Sequence, residues 1–162
     1  MKILDSTIII AIIGEIECIE LIDKMLQLNH ELVITQSVYR EILAGSSGKA
    51  CCRLVDKKKI RVIKVNSEEQ IANYKKSYPQ LGNGEIDSML SFSKISKENN
   101  STYCVFDDGV ARRKAEEMGI KFTGFLGLLK IMRERKILTT EEHSEIITQL
   151  RKSNFRLPKE IC

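Results

Sequence analysis

The sequence predicts an α/β fold in which one central parallel sheet is covered by helices on both faces, giving three layers. Short apolar segments alternate along the chain with longer segments whose apolar residues recur at helical spacing. Strands separated by helices pair in parallel, and a parallel sheet needs a helical layer on each face. The 162 residues are a normal length for one compact domain. We therefore expect a single domain over residues 1–162, with a basic helix and tail from about residue 139.

Five segments are predicted strands because they are short, apolar and rich in β-branched residues: 2–4, 31–35, 60–65, 102–106 and 120–123. Helical spacing predicts helices over 7–14, 18–26, 37–44, 49–57, 67–78, 85–97, 109–118, 124–135 and 140–152. Ser67 and Gln70 match a capping box at the start of the fifth helix. Residues 81–84, with two glycines, are a predicted turn, and Gly45 ends the third helix.

The composition excludes several classes of protein. A hydrophobic fraction of 43% and a charged fraction of 30% are typical of a globular domain and exclude disorder of the whole chain. The longest apolar run, residues 8–13, is far below the ~20 residues that a membrane helix needs. The start of the chain lacks the layout of a secretory signal, and the five cysteines form neither a CxxC pair nor a zinc pattern. We therefore expect a cytoplasmic protein with reduced thiols.

Acidic residues follow two of the predicted strands. Asp5 comes directly after the first strand, and Asp107 and Asp108 come directly after the strand of residues 102–106. In parallel sheets the functional crevice lies at the carboxyl ends of the strands. Each aspartate could instead cap the helix that follows, which would stabilise that helix by roughly 1 kcal/mol. Two adjacent acids exceed what one cap requires, and like charges repel unless a cation lies between them.

Further acids border the apolar faces of two predicted helices. Glu41 follows Val38 by three residues, and Asp87 lies at the edge of an apolar stripe. Glu85 lies roughly on the opposite side of an ideal helix from Asp87, and its ordinary role would be a favourable charge at the helix amino end. Hard oxygen ligands without a matching set of His or Cys suit Mg²⁺ or Mn²⁺ rather than zinc.

Four motifs that carry these acids make the sequence resemble the PIN-domain family, especially the prokaryotic branch that includes VapC-like toxins. The motifs are ILDST, TQSVYREI, LGNGEIDSMLSF and YCVFDDGVARRKAEEMGIKFTGFLGLL. The resemblance implies a three-layer fold with a pocket of four acids, namely Asp5, Glu41, Asp87 and Asp108. Two departures stand out: Phe106 replaces a threonine that is common two positions before the fourth acid, and the adjacent Asp107 leaves the identity of that acid open.

The resemblance implies a Mg²⁺- or Mn²⁺-dependent endoribonuclease that hydrolyses phosphodiester bonds. Its candidate metal ligands are Asp5, Glu41, Asp87 and Asp108, with Asp107 and Glu85 as further candidates. Glu41 or Glu85 could take the proton of the attacking water. Arg112, Arg113 and Ser6 are the candidate contacts to RNA.

Partners follow from the same resemblance. We expect the protein to be the toxin of a toxin–antitoxin pair, and to form a homodimer, because residues 7–13 are apolar over more of the helix than one core contact needs. The alternative function is a non-catalytic PIN-like module that binds nucleic acid or protein. A phosphohydrolase with an Asp-x-Asp nucleophile is excluded, because Ser6 and Thr7 follow Asp5.

Overall fold

A computed structural model describes residues 1–155, and within them five strands form one all-parallel sheet. The strands are β1 (Lys2–Leu4), β2 (Leu32–Thr35), β3 (Arg61–Ile63), β4 (Tyr103–Val105) and β5 (Phe122–Thr123). Their order across the sheet is β3-β2-β1-β4-β5. The predicted parallel sheet is thus confirmed, and each strand lies inside or at the edge of its predicted segment.

The helices between the strands also follow the predicted order. They are α1 (Ser6–Ile10), α2 (Glu20–Leu26), α3 (Gln36–Leu43), α4 (Gly48–Asp56), α5 (Glu68–Ser77), α6 (Asn83–Ile95), α7 (Gly109–Glu117), α8 (Phe125–Glu134) and α9 (Thr140–Lys152). A π-helical segment, Ala11–Glu15, continues α1. The predicted C-terminal helix corresponds to α9, but this helix is not basic, because Glu141, Glu142 and Glu145 outnumber Arg151 and Lys152. The part of the predicted tail from residue 156 onward lies outside the described residues.

Two apolar cores, one on each face of the sheet, give the three predicted layers. Successive strand residues point to opposite faces, so Leu4 belongs to one core and Ile3 to the other. The first core packs β1 against α1 to α4, α8 and α9, and the second packs it against α5, α6 and α7. Complete burial of one Leu or Ile side chain stabilises the fold by roughly 1.5–3 kcal/mol, so both faces contribute to stability.

Two local differences from the sequence prediction matter for the site. Helix α6 begins at Asn83, two residues before the predicted start, so the second glycine of the predicted turn is helical. The first helix ends at Ile10, where the π-helical segment takes over. The capping box of Ser67 and Gln70 is present as predicted.

The apolar helix that motivated the homodimer is enclosed by the protein's own core. Ile8, Ile9 and Ile12 are fully buried, and Ile13 is nearly so. Their spread around the helix therefore reflects contacts with the sheet and with several helices at once. The homodimer stays a prediction without this support.

The strand order reverses at β1, which lies between β2 and β4. After β1, the chain forms β2 and β3 on one side of β1, and it then crosses to form β4 and β5 on the other side. Such a switch point leaves a crevice at the carboxyl ends of the strands. Asp5 follows β1 and its amide donates to Val105 O of β4 at 3.3 Å, so the acids after both strands lie at this crevice.

Candidate active site

Asp5 is buried at the centre of the crevice and caps α1. Its Oδ2 accepts hydrogen bonds from the Thr7 amide at 3.3 Å and from the Thr7 hydroxyl at 2.7 Å. Its Oδ1 is buried and has no hydrogen-bond partner within residues 1–155. Burial raises the pKa of Asp5, and the Thr7 hydrogen bonds oppose that rise. The cap explains one oxygen and leaves the other, which is buried in the crevice, unexplained.

Glu41 joins three helices through its carboxylate. Its Oε2 accepts from the Ser6 hydroxyl of α1 at 2.9 Å, and its Oε1 accepts from the Gly84 amide in the first turn of α6 at 2.8 Å. A Cβ atom on Gly84 would lie 2.6 Å from Glu41 Oε2. Glycine at this position is therefore what permits the close approach, and the side chain of Ser6 is engaged in holding Glu41.

Glu85 lies in the first turn of α6 and turns back towards the crevice. Its Oε2 accepts from the Gly82 amide at 2.7 Å, which completes half of a capping box. Burial raises the pKa of Glu85 to about 7, and the hydrogen bond from Gly82 opposes the rise. Three neighbouring negative charges raise the pKa further, and they belong to Asp5, Asp108 and Glu41. Glu85 therefore belongs to the acidic cluster.

Asp87 is buried and takes part in a polar network of its own. One carboxylate oxygen accepts from the Ser37 amide at 3.2 Å, and the other accepts from Asn66 Nδ2 at 2.8 Å and from the Ser91 hydroxyl at 3.5 Å. This network ties α6 to the amino end of α3. The sequence favoured Asp87 because it lies at the edge of an apolar stripe and in the third-acid motif of the resemblance, with Glu85 as a further candidate. In the structure Glu85 accepts from the Gly82 amide and Asp87 belongs to this network. The role of Asp87 as a metal ligand stays a prediction.

Asp107 and Asp108 have separate partners. Asp108 caps α7, and its Oδ1 accepts from the amides of Val110 at 2.7 Å and Ala111 at 3.0 Å. Both oxygens of Asp107 accept from the Phe125 amide at the start of α8, at 3.2 and 3.1 Å. Asp107 thus replaces the cap that Gly124 lacks, whereas Asp108 keeps its second oxygen for the crevice.

The Phe125 amide and the Arg112 guanidinium both stabilise the negative charge of Asp107. Burial raises the pKa of Asp107 to about 6, and the Phe125 amide and the Arg112 guanidinium oppose that rise. The guanidinium of Arg112 lies 5.6 Å from the centroid of the Phe122 ring. Arg113 is exposed, and its guanidinium lies near Gly109, 3.7 Å from where a Cβ atom on that glycine would stand. Of the three predicted RNA contacts, Arg112 therefore lies at the crevice beside Asp107, while the hydroxyl of Ser6 donates to Glu41.

A groove of about 350 Å³ leads away from these acids. Asp107, Asp108 and Gly109 line one end of the groove, and Asn154 and Phe155 line it as well. The acidic cluster is defined here as Asp5, Glu41, Glu85 and Asp108, and Asp108 is its member that lines this groove.

The cluster has the chemistry of a site for a hard cation. All of its donors are carboxylate oxygens, and Asp5 Oδ1 is a buried acceptor without a donor. Within residues 1–155, no three His, Cys, Asp or Glu side chains stand close enough to form a ready metal-binding group. The carboxylates therefore converge without closing around a common centre.

The model of one protein family, DUF3368, described as a PIN domain, matches residues 1–162. The chain belongs to the PIN-domain family. Members of this family are generally nucleases, typically use divalent metal ions, and act on nucleic acid. No curated protein matches the chain. No helix within residues 1–155 of this PIN domain is long and apolar enough to cross a membrane.

The sequence predicted Glu85 only as a further candidate ligand, although the spacing of the residues before it indicates its position. Gly82 and Glu85 have the three-residue spacing of a capping box, which places the glutamate in the first helical turn. Gly84, which shapes the cluster, has no comparable signal, because its contact with Glu41 joins residues that the topology brings together.

Proposed function

We propose that this PIN domain is an endoribonuclease that depends on Mg²⁺ or Mn²⁺ and hydrolyses phosphodiester bonds at the acidic cluster. Asp5, Glu85 and Asp108 supply the free carboxylate oxygens, and Glu41 holds the cluster together. Glu85 takes the place that the sequence assigned to Asp87. The observation that carries the proposal is Asp5 Oδ1, a buried oxygen without a hydrogen-bond donor, on a residue whose charge interacts with those of Glu41 and Glu85.

The acids could not bind a phosphodiester by themselves, because both partners are negatively charged. A bound divalent ion would supply the missing positive charge and a water of lowered pKa. Asp5 and Asp108 would hold the ion through the oxygens that their caps leave free. The amides and hydroxyl that bind their other oxygens fix both side chains, which keeps the free oxygens in place.

Glu85 is the best candidate for the residue that takes the proton of the attacking water. Efficient general bases have a pKa near the working pH, and burial together with the neighbouring acids raises the pKa of Glu85 to about 7. Its Oε2 stays fixed to the Gly82 amide. Within residues 1–155, the other oxygen, Oε1, accepts no hydrogen bond, so it would be the atom that holds the proton.

Cations beside the cluster would hold the RNA backbone. Arg112 stands next to Asp107 at the crevice, and Arg113 on α7 presents an exposed guanidinium. A depression of about 430 Å³ between α3, α5 and α6 is lined by Arg40 and Lys75 but also by Glu68, which pairs with Arg40 at 2.7 Å. The arginines of α7 are therefore the main candidates for holding the strand.

The first prediction tests the metal. Cleavage of a mixed single-stranded RNA should be lost in excess EDTA and should return when Mn²⁺ or Mg²⁺ is added, because the acids cannot bind phosphate alone. Gel analysis of labelled RNA and of the matched DNA measures both the dependence and the preference. Undiminished cleavage in EDTA would refute the mechanism, and binding of RNA without cleavage under any metal would favour the non-catalytic module.

The toxin role is a further part of the proposal and rests on the resemblance alone. Expression of the wild type should slow growth, and co-expression of a small adjacent reading frame should restore it. An Asp5→Asn variant expressed at the same level serves as the control and should not slow growth. Harmless strong expression of a protein that is an active nuclease when purified would point to a role in RNA processing instead.

The single domain over residues 1–162 and the homodimer are separate proposals. A single cooperative unfolding transition that coincides by fluorescence and circular dichroism would support one domain. Light scattering at tens of micromolar protein distinguishes a dimer from a monomer.

A further inference from the structure

The groove that leads away from the acidic cluster has an apolar wall and a polar rim. Ile10 and Ala11, at the junction of α1 with the π-helical segment, line it together with Phe155. The Phe155 ring is held edge-on against Phe125, with centroids 5.7 Å apart. A flat, apolar-faced molecule could therefore lie between α1 and a fixed aromatic ring. The volume of about 350 Å³ falls at the small end of the usual range for ligand pockets.

The polar rim contains the carboxylate of Glu15, of which only one oxygen accepts a hydrogen bond. Glu15 is the last residue of the π-helical segment, and its Oε2 accepts from the Asn154 amide at 3.1 Å. Its second oxygen, Oε1, accepts no hydrogen bond from any donor within residues 1–155. The π-helical geometry, in which the Ile16 amide donates to Ala11 O at 2.9 Å, sets the direction of this residue. Such segments occur frequently at functional sites.

We propose that this groove binds one unpaired guanine base of the RNA strand that the acidic cluster cuts, with Glu15 accepting from the base. The identity of the ligand rests on the proposed nuclease function. Because Asp107, Asp108 and Gly109 line the same groove, a phosphodiester at the cluster brings the base of the neighbouring nucleotide to the groove entrance.

The chemistry of the groove selects among nucleobases. A base has a flat π-face that stacks on apolar and aromatic side chains whatever its sequence. Its edge must then satisfy Glu15, which as a carboxylate can only accept hydrogen bonds. Guanine presents two adjacent N–H donors, N1–H and the N2 amino group, to which a carboxylate can bind in a bidentate manner. Glu15 Oε1 would accept one of them, and Oε2 would accept the other with the lone pair that the Asn154 amide leaves free. Adenine, cytosine and uracil do not present two adjacent donors on that edge.

The groove also determines the strandedness of the substrate. In a duplex the Watson–Crick edge is paired and both faces of the base are stacked, so neither Glu15 nor Phe155 could reach them. The base must be in a loop, a bulge or a single strand. The site therefore reads one nucleotide beside the cut and leaves the rest of the strand to the basic residues.

The first experiment measures binding without cleavage. Guanosine, inosine and uridine are titrated into the ¹⁵N-labelled full-length protein, and amide shifts of Ala11, Gly109 and Asn154 are followed by NMR. Guanosine should shift these amides and bind about fivefold or more tightly than inosine, which lacks the N2 amino group, because one hydrogen bond to a charged acceptor is lost. Shifts elsewhere, or none at the groove at saturating guanosine, would overturn the proposal.

Two variants test whether Glu15 recognises the guanine base. Glu15→Gln should reduce the affinity for guanosine to that for inosine, because an amide cannot accept from both donors. Glu17→Gln, which changes a neighbouring glutamate outside the groove, should leave the affinity for guanosine unchanged. Equal losses in both variants, or none in Glu15→Gln, would contradict the role of Glu15.

The second experiment separates this proposal from the proposed function. Cleavage of a single-stranded RNA in Mn²⁺ should occur beside guanine in the wild type, and Glu15→Gln should lose that preference. If guanosine binds the groove but no RNA is cut, the nuclease proposal fails and the base site stands. If RNA is cut without preference and guanosine leaves the groove amides unmoved, the base site fails and the nuclease proposal stands.

Discussion

Strand β1 has a buried ionisable side chain at each end, and the two ends differ in what surrounds that side chain. Lys2 opens the strand and is fully buried, with its Nζ 5.7 Å from the centroid of the Tyr103 ring. Asp5 follows the strand and lies among three further acids. Lys2 Nζ and Asp5 Oδ1 share one property: both are buried without a hydrogen-bond partner within residues 1–155.

The comparison shows when a buried charge can form a binding site. At the acidic end, carboxylates with one fixed and one free oxygen converge beside an open groove, so a cation from solution can offset their repulsion. At the basic end, an aromatic ring is the neighbour of Lys2, and the positive charge of Arg135 adds to the effect of burial in lowering its pKa to about 8. Unpartnered charge thus indicates a binding site where access and converging ligands accompany it, and a loss of stability where they do not.

The largest expected effect separates two acids of α6 at the acidic end. Glu85→Gln should reduce cleavage by about a hundredfold or more, as expected for a general base, while the fold remains intact. Asp87→Asn should instead lower the free energy of unfolding by about 1–3 kcal/mol, because buried amide donors lose their charged acceptor. Kinetics and urea denaturation of both variants measure the contrast. The opposite pattern would return Asp87 to the cluster.

The second effect concerns the glycine that admits Glu41 to the cluster. Gly84→Ala should weaken Mn²⁺ binding by about 10–100-fold, the usual cost of disturbing a residue that positions ligands, because the new methyl group would overlap the Glu41 carboxylate. Gly82→Ala is the matched control, since its Cβ would lie at an ordinary 3.6 Å from Glu85. Calorimetric titration with Mn²⁺ compares the two. Equal affinities would show that Glu41 does not shape the site.

The third effect tests the basic end. Lys2→Met should raise the free energy of unfolding at pH 7 by about 1–3 kcal/mol, the cost of a buried polar group without a partner. Burial lowers the pKa of Lys2 from 10.5 to about 8, so the unfolded chain binds more protons between these values and wild-type stability rises with pH there. The variant should lack that rise. Lys97→Met, at an exposed position, is the control and should keep it.

The smallest effect has the opposite sign and belongs to the acidic end. Burial raises the pKa of Glu85 to about 7 and that of Asp107 to about 6. Without metal, these groups bind protons more readily in the folded protein, so their contribution to stability grows as the pH falls from about 7 towards 4.5. Glu85→Gln should weaken this dependence, and saturating Mg²⁺ should suppress it. Thermal unfolding across this pH range, with and without Mg²⁺, provides the measurement.

The sequence predicted the layers, the parallel sheet and the acids after β1 and β4, because each depends on a local pattern. It named both Glu85 and Asp87 but could not assign them separate roles, because the partners of Asp87, Ser37 and Asn66, come from segments far from α6 in the chain. The roles of Ser6 and Asp107 as supports for Glu41 and α8 were also beyond its reach. They depend on contacts between segments far apart in the chain.

Backbone amides at the amino ends of helices hold each acid of the crevice: Asp5 on α1, Glu41 and Glu85 on α6, Asp107 on α8 and Asp108 on α7. The partial positive charge of those ends offsets the carboxylates, so the cluster takes shape before any cation arrives. Small domains that fold only around a metal have no such scaffold. We therefore expect this protein to fold without an ion. Under the proposed function, the concentration of free Mg²⁺ or Mn²⁺ would then control cleavage without changing the folded state.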